Sequence, residues 1–160
     1  MAVSDVNRDV IKPFTDEIVQ KLMGLYKGKR INKSLAQNIS ITLGRLGLIN
    51  PEAVAKHLDQ IAKQWCVSLR YVKGDNNDEK HQAYKGLCYT IAKNTTAIKK
   101  DFPYFCSAIA HYHDPRPELH QIFKGILHVF KQNCGEDNWN HYVKQFPQEL
   151  QQKLKHKFDL

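Results

Sequence analysis

The chain is short of what most catalytic and membrane functions need. No run approaches the roughly 18 to 20 consecutive apolar residues of a membrane-crossing helix, and residues 1–10 hold no apolar core of the kind a secretory leader carries. There is no H-E-x-x-H, no G-x-S-x-G and no glycine-rich phosphate loop. The cysteines, Cys66, Cys88, Cys106 and Cys134, stand 22, 18 and 28 positions apart, with no C-x-x-C to seed a zinc site. Each lies within or at the end of an apolar helical stretch and is expected to be a buried, reduced thiol. No segment alternates as a strand or hairpin would. These absences point to a soluble, intracellular, all-α protein that is not an enzyme and has no cofactor, no metal and no membrane partner.

Two abundances invite other readings. His111 and His113 alternate near a helix end, and His120 and His128 are eight apart, about two turns, too far for one metal without a third ligand. Structural histidines are expected. Lys and Arg outnumber Asp and Glu by 24 to 16, a net charge of +8. Basic residues gather at Lys27, Lys29, Arg30 and Lys33, and again at Lys144, Lys153, Lys155 and Lys157. A positive surface favours phosphate or acidic protein, yet no DNA- or RNA-binding signature accompanies it, and lysines spaced along helices form a solvated face. Nucleic acid is not the expected partner.

What the sequence does contain is a recurring helical boundary. In residues 38–47, N-I-S-I-T-L-G-R-L-G, small and polar residues interleave with Leu35, Ile39, Leu43 and Leu46 at helical spacing. Gly47 is placed to cap that helix, and Pro51 suits the first turn of the next. Helices expected to open near Pro13, Pro51, Thr95 and Glu136 start 38, 44 and 41 positions apart. Those intervals fall near the roughly 40 to 47 residues of HEAT-type helix-pair repeats. The spacing predicts an α-α superhelix of about four antiparallel helix pairs over 9–48, 51–94, 95–133 and 136–160, forming one unit that binds along an extended surface.

Within the first pair, residues 10–26 carry two apolar stripes: Ile11, Phe14, Ile18, Leu22 and Leu25 on one side, and Val19, Met23 and Tyr26 on another. A helix apolar on two sides needs two partners. The second stripe is expected to be uncovered, as it would be if a preceding repeat were missing and the chain were a fragment. Ser34 is the candidate N-cap of the following helix. Residues 52–71 read as one helix with Val54, Leu58, Ile61, Trp65 and Leu69 on one face, the 74–78 segment G-D-N-N-D as a polar turn, and residues 79–93 as the returning helix. Residues 95–112 and 117–132 form the third pair, separated by D-P-R-P. Residues 136–146 and 148–158 form the fourth.

Several unusual words of this sequence, in order, resemble a known family. Q-N-I-S-I-T-L-G-R-L-G from Gln37, Q-W-C-V-S-L-R from Gln64, A-Y-K-G-L-C from Ala83, D-F-x-x-F-C from Asp101 and I-L-H-V-F-K from Ile126 look like the carboxy-terminal repeats of the transportin family. Asp137-Asn138-Trp139 and Gln145-Phe146-Pro147 do so too. The family's members are importin-β-type (karyopherin-β) nuclear import receptors, HEAT superhelices that bind nuclear localisation signals on the inner face and release cargo to Ran-GTP. The resemblance implies the last three to four repeats of a receptor several times longer, one that passes nuclear pore proteins and shuttles between cytoplasm and nucleus. It also implies that the main Ran-binding surface and the pocket for the signal's Pro-Tyr pair lie outside this chain.

One part of the cargo surface carries over by the resemblance. The helix matching residues 35–46 contributes an Asn and, three residues on, an Ile to the pocket for the upstream part of the signal, here Asn38 and Ile41. Their spacing sets them on one face, opposite Leu35, Ile39, Leu43 and Leu46. An amide can pair with an extended peptide backbone and an isoleucine can offer apolar contact. The family's nearby cargo-contacting tryptophan would precede Met1, and Trp65 and Trp139 read as core anchors. The family is acidic overall, which suits basic signals, whereas this chain carries +8. A generic HEAT scaffold or basic adaptor for acidic protein or nucleic acid is the alternative reading, favoured if binding maps to residues 27–33 and vanishes with salt.

Overall fold

Five of the six prolines stand at or just inside a helix start, where a missing N–H costs nothing. A computed structural model describes residues 5–28, 31–74 and 77–160. Lys29 and Arg30 of the basic connector, Asp75 and Asn76 of the polar turn, and Met1 lie outside the described residues. All regular structure among those described is helical: α1 Asp5–Ile11, α2 Thr15–Tyr26, α3 Lys33–Ile49, α4 Pro51–Ala55, α5 Leu58–Arg70, α6 Asp78–Lys93, α7 Phe102–Ala110, α8 Pro117–Cys134, α9 Glu136–Val143 and α10 Gln148–Phe158. Helix α3 lies along α6 and α6 along α8, while α5 lies along α7, so second helices stack on second helices and first on first. At the end of the stack α9 packs on α8 and α10 on α7. Lys157 of α10 donates to the carbonyls of Ala110 and Tyr112 at 2.6 and 2.8 Å, satisfying orphan acceptors at the end of α7.

The closest approach in the stack is between α3 and α6. A Cβ on Gly86 would stand 1.7 Å from the Gly44 carbonyl oxygen, and one on Gly44 would stand 2.4 Å from the Ala83 Cα. Gly47 faces the Gly86 carbonyl in the same way, at 2.5 Å. Gly47 is therefore no cap. Helix α3 continues to Ile49, and the glycine lies buried inside it because the neighbouring backbone leaves no room for a side chain.

Two asparagines mark successive pair boundaries with the same conformation. Asn50 has φ −146° and ψ 76°, and Asn94 has φ −148° and ψ 73°. Each side-chain oxygen accepts from the N–H three residues on, Ala53 at 3.3 Å and Ala97 at 3.1 Å. Each amide nitrogen donates to a carbonyl of the preceding first helix, Lys12 or Ala55, both at 3.3 Å. One residue type thus caps one repeat and ties it to the last.

The first helices are more broken than their periodicity predicts. A 3₁₀ turn, Lys12–Phe14, at Pro13 separates α1 from α2, and a turn at Lys56 and His57 separates α4 from α5. Helix α7 begins only at Phe102, preceded by turns and the 3₁₀ segment Lys99–Asp101. Asn32, not Ser34, caps α3, accepting from the Leu35 N–H at 2.8 Å. Side chains compensate across the breaks. His57 Nε2 lies 2.7 Å from Asp16 Oδ1, and Arg70 donates to Ser107 at 3.2 Å and lies 3.0 Å from His111 Nε2.

The core runs continuously between the layers. Trp65 is buried and donates to the Ser40 carbonyl at 2.9 Å, while Ser40 Oγ donates to the Ala36 carbonyl and stands 2.7 Å from the Tyr26 hydroxyl. Trp139 is also buried, in edge contact with Phe102, whose ring stacks on Phe130 at 3.9 Å. Cys66, Cys88 and Cys106 are buried free thiols, whereas Cys134, at the end of α8, is exposed.

The two stripes of the first pair are the reverse of what the sequence predicts. Val19 is 0% exposed, Met23 is buried and Tyr26 is held by Ser40. It is the other stripe that opens to solvent, with Phe14 at 56% and Leu25 at 49%. Leu35, assigned to the packed side of α3, is exposed as well. Ile11, Ile18 and Leu22 of the Phe14 stripe are partly buried against the core, so its exposure is concentrated at Phe14 and Leu25.

Two predictions follow from this packing. Gly86→Ala should destabilise by about 2 kcal/mol or more, since the clash is with backbone and not with a flexible side chain. Gly125→Ala, with nothing within 4 Å of the new methyl, should be neutral or stabilising by up to about 1 kcal/mol. Urea unfolding of both variants checks this, and equal midpoints would refute the close-contact reading. Second, Phe14→Lys with Leu25→Lys should reduce self-association in light scattering while changing stability by only about 0.5 kcal/mol each. Met23→Ala should cost about 2 to 5 kcal/mol.

Candidate peptide-binding face

The stacked second helices present a polar face built from equivalent turns of α3, α6 and α8. Ion pairs cross from each helix to the next. Arg45 of α3 donates to Glu79 of α6 at 2.7 Å, Lys85 of α6 to Glu118 of α8 at 2.6 Å, and Arg116 at the start of α8 to Asp78 of α6. The Arg116 guanidinium holds the Asp78 carboxyl below its usual range, and Lys85 does the same to Glu118. Because these carboxylates are largely exposed, the pairs are screened and contribute alignment more than stability.

Asn38 is exposed on α3, one turn from Thr42 and two from Arg45 on the same open side. Its carbonyl accepts from Thr42 Oγ1 at 2.9 Å. Ile41 is 7% exposed and belongs to the apolar cluster that includes Leu43 and Leu46. The two residues therefore share a stretch of helix, with Asn38 in solvent and Ile41 showing an edge. The apolar contact Ile41 can offer is small, and it is rigid because the rest of the side chain is packed.

Charge-bearing residues that the sequence singles out are distributed otherwise. Lys33 lies over the Tyr71 ring at 4.6 Å. Of the carboxy-terminal basic group, Lys153 pairs with Glu149 at 2.7 Å and Lys157 caps α7, so those lysines do not form one free patch. No three His, Cys, Asp or Glu side chains among the described residues come together as a metal site would require. No described helix is long and apolar enough to cross a membrane. Sequence reasoning missed His81, which is 6% exposed on α6 among Lys85, Arg116 and Glu118. Its one sequence signal was position, since it falls on the apolar side of a helix whose first turn is otherwise charged.

Comparison with known proteins agrees with this architecture. No protein-family profile matches the chain. It is 35% identical to Transportin-1 of Homo sapiens over 144 residues, 90% of the chain and 16% of that protein. Over 110 residues, 69% of the chain and 12% of the relative, it is 36% identical to Importin subunit beta-2 of Schizosaccharomyces pombe. Transportin of Dictyostelium discoideum is 28% identical over 152 residues, 95% of the chain and 16% of that protein. The chain thus spans about one sixth of the length of the transportins it matches. These relatives form a family of nuclear import receptors, not of enzymes. With second helices stacked as HEAT pairs stack and with this kinship over nine tenths of its length, the chain is a region of a karyopherin-β of the transportin family.

Proposed function

We propose that the chain is the carboxy-terminal part of a nuclear transport receptor, contributing the Asn38 face to recognition of the upstream segment of Pro-Tyr-type localisation signals. The observation that supports this most directly is the exposure of Asn38 on a second helix whose backbone is fixed by the glycine contact with α6. A helix so held presents the amide from a fixed backbone position, which lowers the entropic cost of binding an extended peptide. Ile41 provides the edge against which an apolar residue of the signal rests. In the whole receptor, cargo release by Ran-GTP, passage of nuclear pore proteins and shuttling between cytoplasm and nucleus belong to the same reading, and the main Ran surface lies in other repeats.

Burial changes which substitution tests this. Ile41→Asp would put a carboxylate against the apolar cluster and unfold the helix contact, confusing binding with stability. Ile41→Val trims one methyl at about 0.5 to 1.5 kcal/mol and keeps the fold. Titrating the isotope-labelled 160-residue chain with a Pro-Tyr-type signal peptide should move the amide resonances of Asn38, Thr42 and Arg45. Asn38→Ala should weaken binding by about 1 kcal/mol, and Ile41→Val by less. Neither should alter Ran binding by the full-length receptor. A peptide that shifts only residues near Lys27 and Lys33, with affinity lost in salt, would favour the basic-adaptor reading instead.

A further inference from the structure

Three cations from separate parts of the sequence converge beside the second-helix face. Arg8 of α1, Lys85 of α6 and Arg116 at the start of α8 line a cleft of about 350 Å³, with Leu48 and Tyr89 on its walls and His81 among its lining residues. Lys85 and Arg116 already bind Glu118 and Asp78. An ammonium carries three N–H donors and a guanidinium five, so one carboxylate each does not exhaust them. Both carboxylates sit mostly in solvent, where they can swing aside.

His81 is the second, independent sign of a ligand. Its side chain is more than nine-tenths buried, its Nδ1 has no hydrogen-bond partner, and its Nε2 is 3.9 Å from Glu118 Oε2, too far for a hydrogen bond. Buried polar atoms are ordinarily paired, so the unpaired Nδ1 of a residue lining this cleft is an exception, one that a turn of the ring toward a ligand would relieve. Burial, and next the Arg116 charge, hold His81 below the usual imidazole range, so the ring is neutral near pH 7 and one nitrogen can donate.

We infer that this cleft binds an acidic peptide segment, one carboxylate of which is held by Arg116 and Lys85 with the His81 imidazole beside it. Leu48 and Tyr89 suit the methylenes of a glutamate. A nucleic acid fits less well, because a cleft of this volume takes one or two side chains and not the run of phosphates along a backbone. The proposal does not depend on Asn38 or Ile41, which lie elsewhere on the face.

The test uses the 160-residue chain and a fluorescent nonapeptide with a Glu-rich centre, its Gln analogue, and a single-stranded oligonucleotide of equal charge. The acidic peptide should bind at least about tenfold more tightly than the Gln analogue. Lys85→Gln with Arg116→Gln should abolish that difference. Glu118→Gln, which removes the competing carboxylate, should tighten binding severalfold, an effect that loss of a structural ion pair would not produce. The His81 ring nitrogens should shift on titration of the unaltered chain. Should the double variant not fold, Glu118→Gln and the His81 resonances decide between them. Equal binding of the Gln analogue, weaker binding by Glu118→Gln, an unmoved His81, or displacement of the peptide by the oligonucleotide would each overturn the proposal.

Discussion

Everything on the second-helix side depends on two backbones touching. Where the Gly44 carbonyl meets Gly86, and Gly47 meets the carbonyl of the same residue, α3 and α6 approach closer than any side chain would permit. The large rings of the first-helix layer fill the space between the layers, Trp65 of α5 donating to the Ser40 carbonyl of α3 at 2.9 Å and Phe102 and Phe105 of α7 packing on Phe130 and Phe123 of α8, while the glycine contact is what brings two second helices backbone to backbone. The same contact sets register. Sliding α6 by one residue would drive a side chain into the α3 backbone, so only one alignment of the two polar faces is available.

That constraint explains what could and could not be read from the chain. Pro13, Pro51, Pro117 and Pro147 are local signals, acting through the missing N–H and a fixed φ, and they mark helix starts wherever the fold puts them. These helix starts were readable for that reason. Gly47 was misread because a glycine three residues before a boundary looks the same whether it ends a helix or admits a neighbour. Only the presence of Gly86, 39 positions on, distinguishes the two. The stripes of α2 posed a similar problem. Both are apolar at helical spacing, and which one packs depends on the side from which α3 returns, which no local pattern records. The break at His57 has no sequence marker either, since it is held by a pairing with Asp16, 41 positions away.

The candidate site divides along the same line. Asn38 could be proposed because it stands in a run of recognisable words on a single helix. Ile41 could be proposed by the same route, but its burial could not be read, because a residue three positions from an exposed one can lie on either side of the rim. The cationic cleft was invisible. Arg8, Lys85 and Arg116 lie far apart in the sequence and read there as ordinary helix-surface residues, and their juxtaposition with His81 exists only once α1, α6 and α8 are brought together.

Placement of charge also changes the meaning of the net +8. Arg45, Lys85 and Arg116 are each matched to a carboxylate on a neighbouring helix of the stack, and on the first-helix side the Asp16 carboxylate stands 2.7 Å from His57. Such pairs are too exposed to hold the layers together, but each is satisfied in only one register, the one the glycine contact already imposes. Net charge therefore says little about which surface is positive. What matters is where a cation has donors left after serving its neighbour, and the stack sets Lys85 and Arg116 beside the buried His81 while Asn38 stands elsewhere on the same face. If both proposals hold, a peptide of mixed character would be read along this face, its polarity sorted by the spacing of the second helices.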